Sequence, residues 1–282
     1  MKRSYPLGEA LSLSPTHPSP PAAPSSVPLP PVAAVAADDL SPQATTFPYR
    51  DYIAAKQDLL AAIRGGPFYG LVFALSGMGK TCLMRDVWAS LDRHRYQLLY
   101  LSAANVSLLG ISRFFAQTCH IAPKRTFIET CKVLADVLKA QPVQQLLWID
   151  EADRVSADTI AELRILAECD REIPQMFSII FSGLPELGSL ISSPKLFPLK
   201  RRITVRVQLT GLCRDELAAF LAHRFGSVDE KRIPPELRDE IFERTLATPA
   251  LIERVVKRIL ERAGQERVAE AHLREALDAQ GL

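Results

Sequence analysis

The feature that most restricts this chain is an apolar run, Gly70-Leu71-Val72-Phe73-Ala74-Leu75, that breaks into Ser76-Gly77-Met78-Gly79-Lys80-Thr81. A helical pattern follows from Lys80 to Leu91. The run is short and apolar at every position, which predicts a strand buried on both faces. Glycines at 77 and 79 let the backbone turn its N–H groups toward one point, and the first turn of the helix adds partial positive charge there. Strand, glycine loop and helix in this order make a cradle for phosphate oxygens. Lys80 is then placed to reach the β- and γ-phosphates, and the Thr81 hydroxyl to ligate Mg²⁺. The expected ligand is ATP with Mg²⁺, held by Ser76, Gly77, Met78, Gly79, Lys80, Thr81 and Cys82. Such loops usually read G-x-x-x-x-G-K-[ST], and Ala74 stands at the first glycine. Only a methyl is added, so binding is expected to survive.

A second motif lies downstream. Leu146-Leu147-Trp148-Ile149 is followed by Asp150-Glu151, an apolar strand ending in two acids. In a parallel sheet, ligands sit beyond the carboxyl ends of the strands. Asp150 is therefore expected near the loop, orienting Mg²⁺ through its water shell, with Thr81 as the other metal ligand. Glu151 is the candidate general base that polarises the attacking water.

Around these motifs strands and helices alternate. Strands are predicted at Gln97–Leu101, Gln145–Asp150, Phe177–Phe181 and Ile203–Leu209. Helices are predicted at Asp51–Ile63, Leu108–Thr118, Phe127–Ala140 and Ser156–Asp170, the last beginning with Ser156 as N-cap. Strands apolar on both faces argue for a parallel five-stranded sheet covered by helices, an α/β fold. After Thr210 only helices are predicted, at Arg214–Phe225, Pro235–Leu246, Pro249–Ala263 and Ala271–Ala279. The opening segment holds about half of the chain's 21 prolines, interleaved with Ser and Ala, a composition that cannot build a core. The expected organisation is a disordered tail over 1–46, an α/β domain over 47–211 and a small all-helical lid over 212–282.

Composition narrows the setting. Of 282 residues 48% are hydrophobic, enough for an ordinary core without metals or disulfides. The five cysteines are scattered singly, without the paired spacings of zinc sites or disulfide frameworks, and read as thiols of a reducing cytosol. The histidines (among them His94, His120, His223 and His272) are equally isolated. No run approaches a membrane span, and the prolines break any secretory leader. A soluble, cytoplasmic protein without a membrane partner is expected. The net charge of +2 neither requires nor excludes nucleic acid.

The loop, the run Ile149-Asp150-Glu151-Ala152-Asp153 and the segment Phe181-Ser182-Gly183-Leu184-Pro185-Glu186-Leu187 resemble AAA+ P-loop ATPases. The nearest branch is the ExeA (general secretion pathway protein A)-like group, which includes TniB-like transposition helper ATPases. The similarity covers about Tyr49 to Ala279. The resemblance implies a polar group at the end of the fourth strand that contacts the γ-phosphate, for which Ser182 stands here. It implies an arginine before the fifth strand that reaches a neighbouring subunit's ATP site, matched by Arg202 and then by Arg201. The implied catalytic set is Lys80, Asp150, Glu151, Ser182 and Arg202. Related lids often read Gly-Asn-Pro-Arg where this chain has Ala247-Thr248-Pro249-Ala250, so the lid arginine is missing; Arg254 lies one turn on. The resemblance implies an ATP-hydrolysing homo-oligomer joined through its ATP interfaces, working on duplex DNA as a transposase helper. Lys124, Arg125 and the basic series Arg254, Lys257, Arg258 and Arg262 are the candidate phosphate contacts. Secretion-associated members carry a membrane span and further domains that the sequence does not show. An alternative remains open, a nucleotide-gated scaffold that hydrolyses little and uses its tail as a partner ligand. A small-molecule kinase is weaker, because no acceptor pocket is evident.

Overall fold

The computed structural model of the protein describes residues 34–35, 46–102, 110–112, 116–117, 121–122, 126–140, 142–168, 170, 173–264 and 266–281. Five parallel strands form its centre: β2 (Tyr69–Ala74), β3 (Tyr96–Ser102), β4 (Gln144–Asp150), β5 (Ser178–Gly183) and β6 (Ile203–Leu209). A two-residue strand, β1 (Ala34–Val35), adds to the β3 edge antiparallel, opposite Leu101 and Tyr100. The spatial order is β1-β3-β4-β5-β2-β6. The expected parallel sheet is thus present, with one short strand more than expected. Ala34 and Val35 belong to a proline-free stretch of small apolar residues, and pairing them covers backbone groups at an open edge. The rest of the segment read as a tail, apart from Thr46, lies outside the described residues.

The helices are α1 (Arg50–Gly65), α2 (Lys80–Ala89), α3 (Phe127–Ala140), α4 (Ala157–Ala167), α5 (Glu186–Ile191) and α6 (Phe197–Lys200). Five more follow the sheet: α7 (Leu217–Phe225), α8 (Ser227–Arg232), α9 (Pro235–Arg244), α10 (Pro249–Ala263) and α11 (Glu270–Asp278). The helix expected over Leu108–Thr118 falls largely outside the described residues, which are helical at 110–112 and 116–117. Three short helices, α5, α6 and α8, had no signal, because segments of four to six residues complete too few turns to display a periodicity.

Alternation along the strands divides the core in two. Leu71, Phe73, Leu99, Leu101, Leu147, Ile149, Ile179 and Phe181 face α3, α4, α5 and α6. Val72, Leu98, Tyr100, Leu146, Trp148 and Ile180 face α1 and α2. The second layer is continuous with the core of the C-terminal helices, through Leu217, Phe220, Ile252, Val256 and Leu273. The helical segment thus shares a core with the face that carries the glycine loop. Ser156 caps α4 as expected, its side chain accepting from the Thr159 amide at 3.1 Å. Replacing Ser156 by Ala is expected to cost about 1 kcal/mol in urea unfolding, because the orphan amide loses its acceptor; an unchanged midpoint would contradict that role.

Candidate functional site

β2 ends at Ala74 and α2 begins at Lys80, so the loop spans 75–79. Gly77 and Gly79 have φ of +82° and +94°, in the left-handed region that β-carbons disfavour. A β-carbon on Gly77 would lie 2.9 Å from the Ala250 side chain at the start of α10. The cradle thus needs glycine twice over, for conformation and for space. Ala74 has no positive φ and is buried in β2, so the departure from the common pattern carries no strain. The ammonium of Lys80 donates to the carbonyls of Ala74 (2.8 Å) and Leu75 (3.1 Å). Burial lowers its pKa below the usual lysine value, while Asp150, Asp153 and Glu151 push it back up.

Although β5 separates β4 from β2, Asp150 reaches the loop helix. Its Oδ2 accepts from the hydroxyls of Thr81 (3.1 Å) and Tyr100 (3.0 Å). Its Oδ1 accepts from the hydroxyl of Ser182 (2.8 Å) and the amide of Glu151 (3.0 Å). Trp148 Nε1 in turn donates to Ser182 Oγ at 2.8 Å. Burial first, and then the neighbouring Asp150 carboxylate, raises the Tyr100 phenol above its ordinary pKa, so it stays a donor. A side chain expected at the γ-phosphate, that of Ser182, is therefore buried behind Asp150 with its proton engaged there. Tyr100 went unrecognised as a site residue, since a tyrosine within an apolar strand carries no motif. Its alternation with Leu99 and Leu101, which puts it on the face of Trp148, was the available signal.

Glu151 adopts φ +54°, ψ +34° and opens the short turn Ala152–Arg154; its carboxylate pairs with Arg154 at 3.4 Å. A cavity of about 430 Å³ brings together Gly77, Lys80, Thr81, Asp150, Glu151 and Arg154. A second, more apolar pocket of about 230 Å³ lies on the other side of the loop, between Phe47, Tyr49, Tyr52, Met78, Phe220 and Pro249. The two share Gly77, Gly79, Cys82 and Ala250. Tyr49 ties the aromatic wall to the loop, its hydroxyl donating to the Met78 carbonyl at 2.7 Å. Neither motif points to these aromatics, because Phe47 and Tyr49 precede α1, Tyr52 lies in its first turn and Phe220 lies in α7, all outside both motifs.

The remaining candidates sit elsewhere. Arg202 precedes β6 at the opposite end of the sheet from the loop, with Nε 3.1 Å from Glu168 and NH1 donating to the Pro198 carbonyl. Arg201 lies over the Phe197 ring. Arg254 is 3.4 Å from Gln280, Arg258 donates to the Ala279 carbonyl, and Arg262 pairs with Glu275, so three basic residues of α10 face the chain's own C-terminal end. Lys124 and Arg125 lie outside the described residues. Among the described residues no three His, Cys, Asp or Glu side chains converge on a point, and no helix is long and apolar enough to cross a membrane. Thr81 and Asp150, touching beside the glycine cradle, fit a Mg²⁺ ion, which keeps waters and substrate phosphates as its other ligands.

Residues 64–191 match the AAA domain family. Over 81 residues the chain is 26% identical to General secretion pathway protein A of Aeromonas hydrophila, an overlap of 29% of this chain but 15% of that protein. The fold is similar to Cdc6p from Pyrobaculum aerophilum, with a TM-score of 0.62, 16% identity and coverage of 86% of this chain and 70% of that one. It is also similar to the Aeropyrum pernix ORC2 protein in its ADPNP-ADP complexes, with a TM-score of 0.58, 16% identity and coverage of 81% and 66%. At such identities these structures speak for the fold alone.

The loop geometry is directly testable. Gly77→Ala is expected to lower stability by about 1–3 kcal/mol, from positive φ and overpacking against Ala250. Gly65→Ala, in a helix with nothing within 4 Å of the added carbon, is expected to be neutral or stabilising by up to about 1 kcal/mol. Equal effects in denaturant unfolding would contradict the cradle.

Proposed function

We propose, on the premise that this chain is an AAA+ P-loop protein of the ExeA-like group, that it binds ATP with Mg²⁺ and hydrolyses it. The observation that carries the reading is the contact of Thr81 with Asp150 at 3.1 Å, made beside a loop whose glycines have positive φ. Backbone amides of residues 76–81 would surround the phosphates, and Lys80 would exchange its two carbonyl partners for phosphate oxygens. The apolar pocket continuing past Gly77 and Gly79 offers aromatic surface for the base. Mg²⁺, when bound, supplies charge to the β- and γ-oxygens. Asp150, fixed by four donors, is pre-oriented as its protein anchor together with Thr81.

Glu151 would hold the attacking water and accept its proton. The water oxygen bonds to the γ-phosphorus as the bond to the bridging oxygen breaks, leaving ADP and phosphate. Arg202, remote from its own loop, would act only in a second copy's site, where its fork stabilises charge on the transferred phosphoryl. That role requires a homo-oligomer joined at the ATP interfaces, as the family resemblance implies. The division into a tail to 46, an ATPase domain to 211 and a lid from 212 rests on the proline content and the order of strands and helices. A cytoplasmic location rests on the scattered cysteines and the lack of a spanning run, and work on duplex DNA with a transposase on the family resemblance. A second reading, a nucleotide-gated scaffold, is favoured by Ala250, whose methyl meets the loop where related lids carry arginine.

Single-turnover hydrolysis, with and without duplex DNA, separates the two readings. The wild type is expected to turn over, and Glu151→Gln and Arg202→Ala each to lose about 100-fold or more. An equimolar mixture of the two variants should regain activity, because some interfaces then combine an intact Glu151 with an intact Arg202. A wild type without turnover in either arm favours the scaffold; a mixture no better than its parts contradicts the shared site.

A further inference from the structure

We propose that Arg154 is a γ-phosphate contact of this chain's own site, exchanging Glu151 for the phosphate when ATP binds; the inference rests on the ATP reading above. Lys80 and Arg154 are the two cations among the described residues lining the phosphate cavity, against the carboxylates of Asp150, Glu151 and Asp153. A triphosphate entering so acidic a lining needs positive charge at its far end. The lid does not bring it there: Ala250 occupies that position, its amide donating to the Gly77 carbonyl at 3.3 Å.

Arg154 is well placed to supply it. The turn that carries it is closed by a hydrogen bond from the Arg154 amide to the Glu151 carbonyl at 3.0 Å. Asp153 fixes the turn to the end of β5, its Oδ1 accepting from the Leu184 amide at 2.8 Å. Gly183 lets it approach, since a β-carbon there would lie 2.3 Å from the same oxygen. The backbone beneath Arg154 is thus held, while its side chain is 61% exposed. Its pairing with Glu151, whose side chain is 46% exposed, is a surface ion pair of the kind that contributes little to stability. A planar guanidinium offers phosphate a better partner, with two parallel donors toward two oxygens. While paired with Arg154, the Glu151 carboxylate is drawn toward a cation. Transfer of Arg154 to the γ-phosphate leaves Glu151 to orient water, so the base becomes available only when a γ-phosphate is present.

Equilibrium titration with labelled ATP and labelled ADP, each with Mg²⁺, tests this in the full chain. Arg154→Ala is expected to weaken ATP tenfold or more and ADP by less than twofold, with Arg154→Lys in between. Glu151→Ala is expected to tighten ATP severalfold when Arg154 is present, and by less in the Arg154→Ala background. An unchanged ratio of ATP to ADP affinity in Arg154→Ala overturns the contact, and equal gains in both backgrounds overturn the exchange. A wild type that binds neither nucleotide overturns the ATP reading itself, a result distinct from a changed ratio.

Discussion

Asp150, a residue only 7% exposed, has a carboxylate that accepts four hydrogen bonds from three different elements and its own neighbour. A buried charge without partners would be strongly destabilising, and each donor here removes part of that penalty while fixing direction. Thr81 comes from the loop helix, Tyr100 from β3, Ser182 from β5 and the amide from Glu151 itself. The network therefore locks the ends of three adjacent strands to the helix that follows the loop. Trp148 extends it by one bond, holding Ser182 so that its proton points at Asp150. The glycine cradle and the acid pair, separate motifs in sequence, become one site because this carboxylate joins them.

Much of this is legible in the chain itself. The alternation of Ile203, Val205, Val207 and Leu209 defines β6, and Pro249 to Ala263 matches its helix end to end. The spacing of Ser76 to Thr81 and the acids at 150 and 151 single out residues that the structure gathers around one cavity, because phosphate cradles and strand-end carboxylates have local signatures. What escapes is non-local. Tyr100 is a donor only because β3 pairs with β4, with Ser102 opposite Asp150. Phe47 and Tyr49 form a wall only because Phe220 of α7 packs against Phe47, ring centroids 5.5 Å apart. Ser182 stands out at a strand end, but its engagement with Asp150 does not, since position alone does not reveal a tryptophan beneath it.

The approach of the C-terminal helices to the loop has a readable physical cause. Leu246 and Ala247 both take positive φ, which for non-glycine residues is strained. The Ala247 carbonyl accepts from Leu212 at 3.0 Å, and Gly211 gives it room. The bend thus costs conformational energy that the surrounding contacts offset, and it carries Thr248 and Ala250 onto Gly77. The start of α10 thus meets the loop through small side chains and the Ala250 amide. The cations that line the cavity beside the loop belong to the α/β part of the chain, Lys80 and Arg154.

The central claim is that the loop and Lys80 grip a triphosphate beside Asp150. Titrating labelled ATP with Mg²⁺ against the wild type and Lys80→Ala tests it most directly, with thermal unfolding to confirm that both are folded. Loss of at least tenfold in affinity, with the fold retained, is the predicted result. A folded Lys80→Ala protein that binds ATP as tightly as the wild type would contradict the account.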